Sequence, residues 1–398
     1  MPFWEKFKRK EVPQIQGLET HSSNSLTDGA EYSLQSFGLA LLQQESSVKL
    51  KRNVFISPLS IFLALAMTEN GAAGETKAAM RKVLALPPDA SETAVNESAA
   101  SLLKSLPSQG EAELAIANAL WVDIGSTIAP DFVRLCQSIY DATARTLDLS
   151  QPSSAATIND WVSEKTRGKI PTIVTPNRIA GLPAILTNAI YFKGKFCFPF
   201  QKELTQPKAF YLTDGHEKVV PMMRNSGLPN SYRSGRRFEA AVLRYKESGI
   251  ALYMLLPVRG TSPEQVLTEE SVQEALLARE SCVLDLSMPR FKFDFDCELK
   301  ESLTRLEMGI AFQYPGADFS ALGAPPFLIG EVVHKTRLEV DEEGTVAAAA
   351  TAVMMPASAA RRQQHVRRKT LIFDRPFAVL LRDTITGAII FVGVCYEP

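Results

Sequence analysis

The sequence predicts one large α+β domain. Three observations carry that reading. Segments of helical and of strand period intermix along the chain instead of forming separate blocks. After residue 30 no linker-like stretch divides them, and no internal repeat is visible. The 398 residues are 45% hydrophobic, enough for an extensive core.

In chain order, residues 1–30 hold a basic knot (Lys6, Lys8, Arg9, Lys10) and Ser/Asn-rich text, and read as a disordered tail. Residues 31–48 repeat apolar positions at helical spacing. VFI (54–56) is a short strand. Ser57 before Pro58 is a helix start, and the IFLALAM that follows is apolar all round, so that helix should be buried. Gly71 and Gly74 end it, and Thr76 opens a helix running to about Leu86. A polar stretch precedes ELAIANALWV, which alternates as a strand. DFVRLCQSIY and INDWVSEKTRGKI are amphipathic helices, the second with Trp161 on its apolar side. AILTNAIYF is a continuous apolar run, expected as a central strand covered on both faces. Strands dominate residues 208–293 (KAFYLT, KVVPMM, FEAAVLRY, IALYMLLP, CVLDLSMPRFKFDF), with one helix at VQEALLAR. LKESLTRLE is a helix, VVHKTRLEV a strand, and PFAVLLRD and AIIFVGVCY close the chain around a Thr-Gly turn.

Net charge is −1, so no global field recruits nucleic acid or an anionic membrane. The five cysteines include no CxxC pair and read as buried free thiols of a reducing compartment. The N-terminal text lacks an apolar leader and no run is long enough to span a bilayer, so a cytoplasmic protein is expected. The sequon at Asn96 carries no weight without a secretory route.

Catalytic chemistry is missing from the sequence. There are four histidines, and no HExxH or GxSxG pattern. Gly71-Ala72-Ala73-Gly74-Glu75-Thr76-Lys77 has the wrong glycine spacing and residue order for a phosphate loop. Asp341-Glu342-Glu343 reads as solvated acids rather than a cation site, and His334 as a hydrogen-bonded core residue. Neither metal nor cofactor is expected.

One stretch fits no single state. Glu342 to Ser358 is rich in Ala, but its β-branched residues (Thr345, Val346, Thr351, Val353) disfavour a helix, and its alanines make a poor strand. Such a segment suits a chain that must occupy two conformations.

Several motifs together resemble the serpins: NVFISPLSI (53–61), NGAAGET (70–76), LTNAIYFKGKF (186–196), VVPMM (219–223), MPRFKF (288–293), HKTRLEVDEEGT (334–345), FDRPF (373–377) and FVGVCYEP (391–398). They occur in order over nearly everything after residue 30. The resemblance implies a serpin fold for residues 31–398, with three β-sheets, about nine helices and an exposed reactive-centre loop at about 342–370. It implies suicide inhibition of a serine protease by a monomer. The protease attacks the loop, and the cleaved loop inserts as a new strand in the large sheet.

The residues fit that expectation. An inserted strand alternates its side chains between two faces. With Thr345 turned inward, the inward set is Thr345, Ala347, Ala349, Thr351, Val353 and Met355. The outward set is Val346, Ala348, Ala350, Ala352 and Met354. Neither holds a charge or a proline, either of which would oppose insertion. Gly344 supplies the bend. Glu342 to Thr351 are therefore the expected hinge. Ser57, Ser60, Asn188 and His334 match the family's shutter, where strands part. Phe196 stands where the family usually has Trp, keeping the packing but losing an indole N–H.

The family's spacing, fourteen residues beyond Gly344, puts the scissile bond at Ser358-Ala359, in small uncharged text suited to an elastase-like or subtilisin-like protease. The interval to FDRPF is longer than the family's usual one. A cut at Arg361 or Arg362 would instead suit a trypsin-like enzyme, and Met355 is a third candidate. The basic text of Arg361, Arg362, Arg367, Arg368 and Lys369 could bind a polyanion or be a solvated loop face. The other readings are a non-inhibitory binding or chaperone-like protein of the same fold and, more remotely, a hydrolase.

Overall fold

The computed structural model describes residues 25–107, 111–277, 280–325, 327–345 and 367–398. In chain order the α-helices are α1 (Ser25–Val48), α2 (Pro58–Glu69), α3 (Gly74–Val83), α4 (Glu92–Ser105), α5 (Pro130–Ile139), α6 (Pro152–Lys165), α7 (Pro176–Ile179), α8 (Glu269–Leu277) and α9 (Lys300–Leu303). The strands are β1 (Val54–Ile56), β2 (Ala112–Asp123), β3 (Thr127–Ile128), β4 (Thr143–Leu147), β5 (Ala184–Lys195), β6 (Gln206–Tyr211), β7 (Glu217–Pro229), β8 (Tyr232–Ser234), β9 (Phe238–Arg244), β10 (Ile250–Pro257), β11 (Val283–Pro289), β12 (Phe291–Glu298), β13 (Gly323–Ala324), β14 (Glu331–Val340), β15 (Gly344–Thr345), β16 (Arg368–Ile372), β17 (Phe377–Asp383) and β18 (Ile389–Cys395).

Three sheets organise them, beside a small β3–β13 ribbon. The large sheet runs β12-β14-β15-β5-β2-β4; a second six-stranded sheet runs β1-β18-β17-β10-β9-β8; a third runs β16-β11-β7-β6. The main core lies between the first two sheets and takes in α2, whose twelve residues are all buried, as its apolar circumference requires. Ser57 caps that helix, its Oγ accepting the N–H of Ser60 at 3.2 Å, and Pro58 fills the first turn. A smaller core lies under α6 on the outer face of the large sheet.

β5 contributes to both cores. Leu186, Ile190 and Phe192 face the main one, and Ile185, Ala189 and Tyr191 face α6, which is why its sequence is apolar without alternation. β12 alternates, with Phe291, Phe293, Phe295 and Cys297 buried and Lys292, Asp294, Asp296 and Glu298 exposed. Trp161 meets Trp121 edge-on at 5.5 Å beneath α6.

Several expectations are corrected. α1 begins at Ser25, six residues before the expected start, so the last residues assigned to the tail are helical. α3 begins at Gly74 and ends at Val83, short of Leu86. The polar stretch before β2 contains α4, capped by Ser91, which accepts from Ala94. CVLDLSMPRFKFDF is two strands in two sheets, parting at Arg290. The helix at LKESLTRLE lasts four residues before a π-type turn in which Glu307 has φ 75°. The loop text to about 370 includes β16, whose Arg368 and Lys369 pair in parallel with Val283 and Leu284 of β11. The cysteines hold no disulfide; Cys136, Cys282, Cys297 and Cys395 are buried and Cys197 is half-buried.

Candidate functional site: the hinge and the seam below it

β5 and β14 pair directly and in parallel from Ile185–Glu331 up to Tyr191–Arg337. Above that point they separate, and β15 occupies the gap, with Gly344 opposite Lys195 and Thr345 opposite both Gly194 and Val340. The large sheet thus has one seam, closed along most of its length and wedged open at the top by two residues.

The wedge is built by a tight turn. Asp341 Oδ1 accepts the N–H of Glu343 at 2.9 Å and of Gly344 at 3.2 Å, and its own N–H donates to the Gly344 carbonyl at 2.8 Å. Burial pushes the Asp341 carboxyl up, against those two N–H groups. Gly344 is required: its φ is +149°, and a Cβ there would lie 2.1 Å from the Gly194 carbonyl oxygen. Thr345 is fully buried, and its hydroxyl meets that of Tyr245 at 2.6 Å. Burial pushes the Tyr245 phenol well up, so it stays protonated.

The neighbouring acids hold the turn to the body. Glu342 is buried and accepts both Nε and Nη2 of Arg290, at 2.9 and 2.7 Å, and the hydroxyl of Thr205. Burial opposes its charge, but Arg290 and Thr205 prevail and hold its carboxyl below the usual range. Glu343 pairs with Lys202 at 2.7 Å. The carbonyls of Glu342 and Glu343 accept the N–H groups of Phe200 and Phe196 at 2.7 and 2.8 Å. Phe196 stacks near Tyr245, ring centroids 5.0 Å apart, so its backbone and ring hold the top of the sheet without an indole N–H.

Lower down, a polar row crosses the seam. Asn118 of β2 lies opposite Asn188 of β5, and Asn188 opposite His334 of β14. Ser57 N–H donates to His334 Nε2 at 3.0 Å, so the other ring nitrogen, Nδ1, carries the proton and donates to Asn188 Oδ1. Asn188 Nδ2 donates to Ser60 Oγ and to Asn118 Oδ1, and Ser57 Oγ donates to the Ile390 carbonyl at 2.6 Å. Burial drives the His334 pKa down to about 3, so this cross-seam contact is neutral. Ser57, Ser60, Asn188 and His334 are therefore brought together. Asn118 was missed; its signal was an amide in the middle of the apolar run Leu114–Val122.

Val346, Ala347, Ala348, Ala349, Ala350, Thr351, Met355, Ser358, Ala359, Arg361 and Arg362 lie outside the described residues. The remaining basic positions have partners: Arg367 pairs with Glu280 at 3.2 Å, Arg368 with Asp285 at 3.1 Å, and Lys369 lies 4.8 Å from the Tyr232 ring centroid. Among the described residues no helix is long and apolar enough to cross a membrane.

These features define a class of α+β protein whose large central sheet has a seam held open at its top by two residues. The family model for serpins, serine protease inhibitors, matches residues 32–398. A serpin-like protein of Methanosarcina mazei is 32% identical, over 87% of this chain and 82% of its own. Serpin B6 of Pongo abelii is 34% identical (87% and 94%), and the leukocyte elastase inhibitor of Bos taurus 33% (87% and 93%). The native state of tengpin, a thermophilic serpin, superposes with a TM-score of 0.85 at 29% identity, covering 96% of each chain. The chain belongs to the serpin family.

Proposed function

We propose that this protein is an irreversible inhibitor of serine proteases that works by loop cleavage and strand insertion. The observation that carries the reading is β15. Gly344 and Thr345 already lie between β5 and β14 with the Thr345 side chain inward, the parity that the small, uncharged alternation of residues 345–355 requires. The relative named leukocyte elastase inhibitor supports it by kinship.

The protease's catalytic serine attacks the Ser358 carbonyl, the Ser358–Ala359 bond breaks, and the Ala359 amine leaves with a proton. The acyl ester stays on the protease while residues 346–355 enter the seam. Insertion competes with hydrolysis of the ester, so the seam must open readily. A neutral Asn188–His334 contact suits that demand, since parting it strands no charge in the core. The small residues around the bond favour an elastase-like or subtilisin-like target. A polyanion site has weaker support, because Arg367 and Arg368 are each paired with an acid of this chain.

The test is incubation with an elastase-like, a subtilisin-like and a trypsin-like protease, followed by denaturing electrophoresis. A covalent complex with one of the first two is expected, and the mass of the released C-terminal peptide locates the cut. A complex only with the trypsin-like enzyme moves the bond to Arg361 or Arg362. Cleavage without a complex in all three would leave a non-inhibitory binding protein.

A further inference from the structure

Between the second and third sheets lies a cavity of about 450 Å³, within the usual size of a small-molecule site. Its apolar lining includes Leu228 of β7, Val242 of β9 and Phe198, and its polar lining includes Arg233 of β8, Arg244 of β9 and Glu280. Leu228 and Val242 are buried, whereas Phe198 is 47% exposed.

The cavity borders the supports of the chain on both sides of residues 346–366. On one side, Phe198 belongs to the segment that fastens the hinge turn. The N–H groups of Phe196 and Phe200, two residues either way, donate to the carbonyls of Glu343 and Glu342. Asn225 Nδ2 donates to the Phe198 and Pro199 carbonyls at 3.2 and 2.9 Å, and the Cys197 N–H donates to the Arg244 carbonyl at 2.8 Å. On the other side, Glu280 Oε2 pairs with Arg367 at 3.2 Å, and the Arg367 carbonyl accepts the N–H of Val283 at 2.9 Å.

The polar lining favours an anion. Glu280 is engaged on both oxygens, since its Oε1 accepts the Ser234 hydroxyl at 2.7 Å. Arg233 is 3% exposed, and its Nη1 donates to the Asn230 and Tyr232 carbonyls at 2.9 and 2.7 Å, which fixes that wall. Arg244 is exposed and is held in no ion pair among the described residues. An apolar cavity edged by such a guanidinium suits a small molecule with an apolar body and one anionic group. We propose that this cavity binds a small apolar acid, its carboxylate on Arg244 and its body against Phe198, Leu228 and Val242, and that its occupancy is coupled to the loop. The coupling, unlike the site, rests on the insertion reading above. Insertion draws Glu342 and Glu343 away from Phe200 and Phe196 and so releases the segment that carries Phe198. The intact chain therefore holds the ligand more tightly than the inserted one, and by reciprocity the ligand favours the uninserted loop.

The test uses the full chain and anilinonaphthalene sulfonate, an apolar anion whose fluorescence rises on burial. One saturable site is expected. Arg244→Glu should weaken it roughly tenfold. Ser281→Trp, which adds bulk from an exposed position on the lining, should weaken it at least as much, and reads the site if Arg244→Glu does not fold. Arg305→Ala, which breaks an exposed pair with Glu301 elsewhere, should change nothing. The chain with its loop nicked should bind roughly fivefold more weakly than the intact one. No saturable binding, or binding that neither lining variant weakens, overturns the site. Equal binding before and after nicking, in a chain whose heat resistance has risen, overturns the coupling. If nicking brings no gain in heat resistance, insertion itself fails and the coupling falls with it, while the site is still read on the intact chain.

Discussion

The top and the middle of one seam are held by different chemistry. At the top, the hinge turn is fastened by charge: Glu342 on Arg290 and Glu343 on Lys202. In the middle, the strands are joined by neutral, fully buried hydrogen bonds among Asn118, Asn188, His334, Ser57 and Ser60. Arg290 is 45% exposed, so the upper fastening responds to salt, and the Glu342 carboxylate, held low by Arg290 and Thr205, responds to acid. The middle is shielded from both across the neutral range. On the proposed mechanism, the top positions the loop and the middle keeps the sheet shut until the loop arrives.

The largest expected effect is at the wedge. Thr345→Arg puts a guanidinium where the side chain is fully buried beside Tyr245, at a cost of several kcal/mol. The fraction of protease trapped covalently should fall at least about tenfold, leaving a substrate that is cleaved and released. Undiminished trapping would show that Thr345 does not turn inward when the loop inserts.

In the middle of the seam, Asn188→Ala removes the acceptor for His334 Nδ1–H and the donor to Asn118 and Ser60, leaving buried groups unpaired. It should lower stability by about 2–4 kcal/mol in urea unfolding. His334 adds a pH signature. Its pKa falls from 6.5 to about 3 on folding, so between those values the unfolded chain binds a proton that the folded one refuses. Stability from this group is full above pH 6.5 and is lost as pH falls towards 3, at about 1.4 kcal/mol per unit. His334→Gln should flatten that slope.

At the top, Glu342→Gln weakens a pair whose arginine is half-exposed, so the loss should be smaller, about 1 kcal/mol. Because Arg290 holds the Glu342 carboxyl below 4.5, this contribution is present above pH 4.5 and fades below it. The unmodified protein should therefore lose stability in two stages on acidification, the middle before the top. A single stage that neither variant alters would erase the distinction between top and middle.

Much of this was legible in the sequence because it rests on local rules. The double-sided burial of β5 and the Ser57-Pro58 cap follow from a continuous apolar run and from capping chemistry. Gly344 and the neutral text after it announced a segment with a conformational requirement. What stayed hidden depends on partners distant in sequence. Asn118 reads as a stray polar residue until the fold sets it opposite Asn188. Glu342 reads as a solvated acid until Arg290 and Thr205 enclose it. Arg368 and Lys369 read as loop because β16 is made by pairing with β11 rather than by its own propensity.

On the proposed mechanism, residues 346–355 become a strand between β5 and β14 once the loop is cut. The direct measurement is thermal unfolding of the protein before and after its loop is nicked by a non-target protease. The nicked chain, with the seam filled and its strain released, should unfold at a far higher temperature than the intact one. A nicked chain that melts at or below the intact temperature would contradict it.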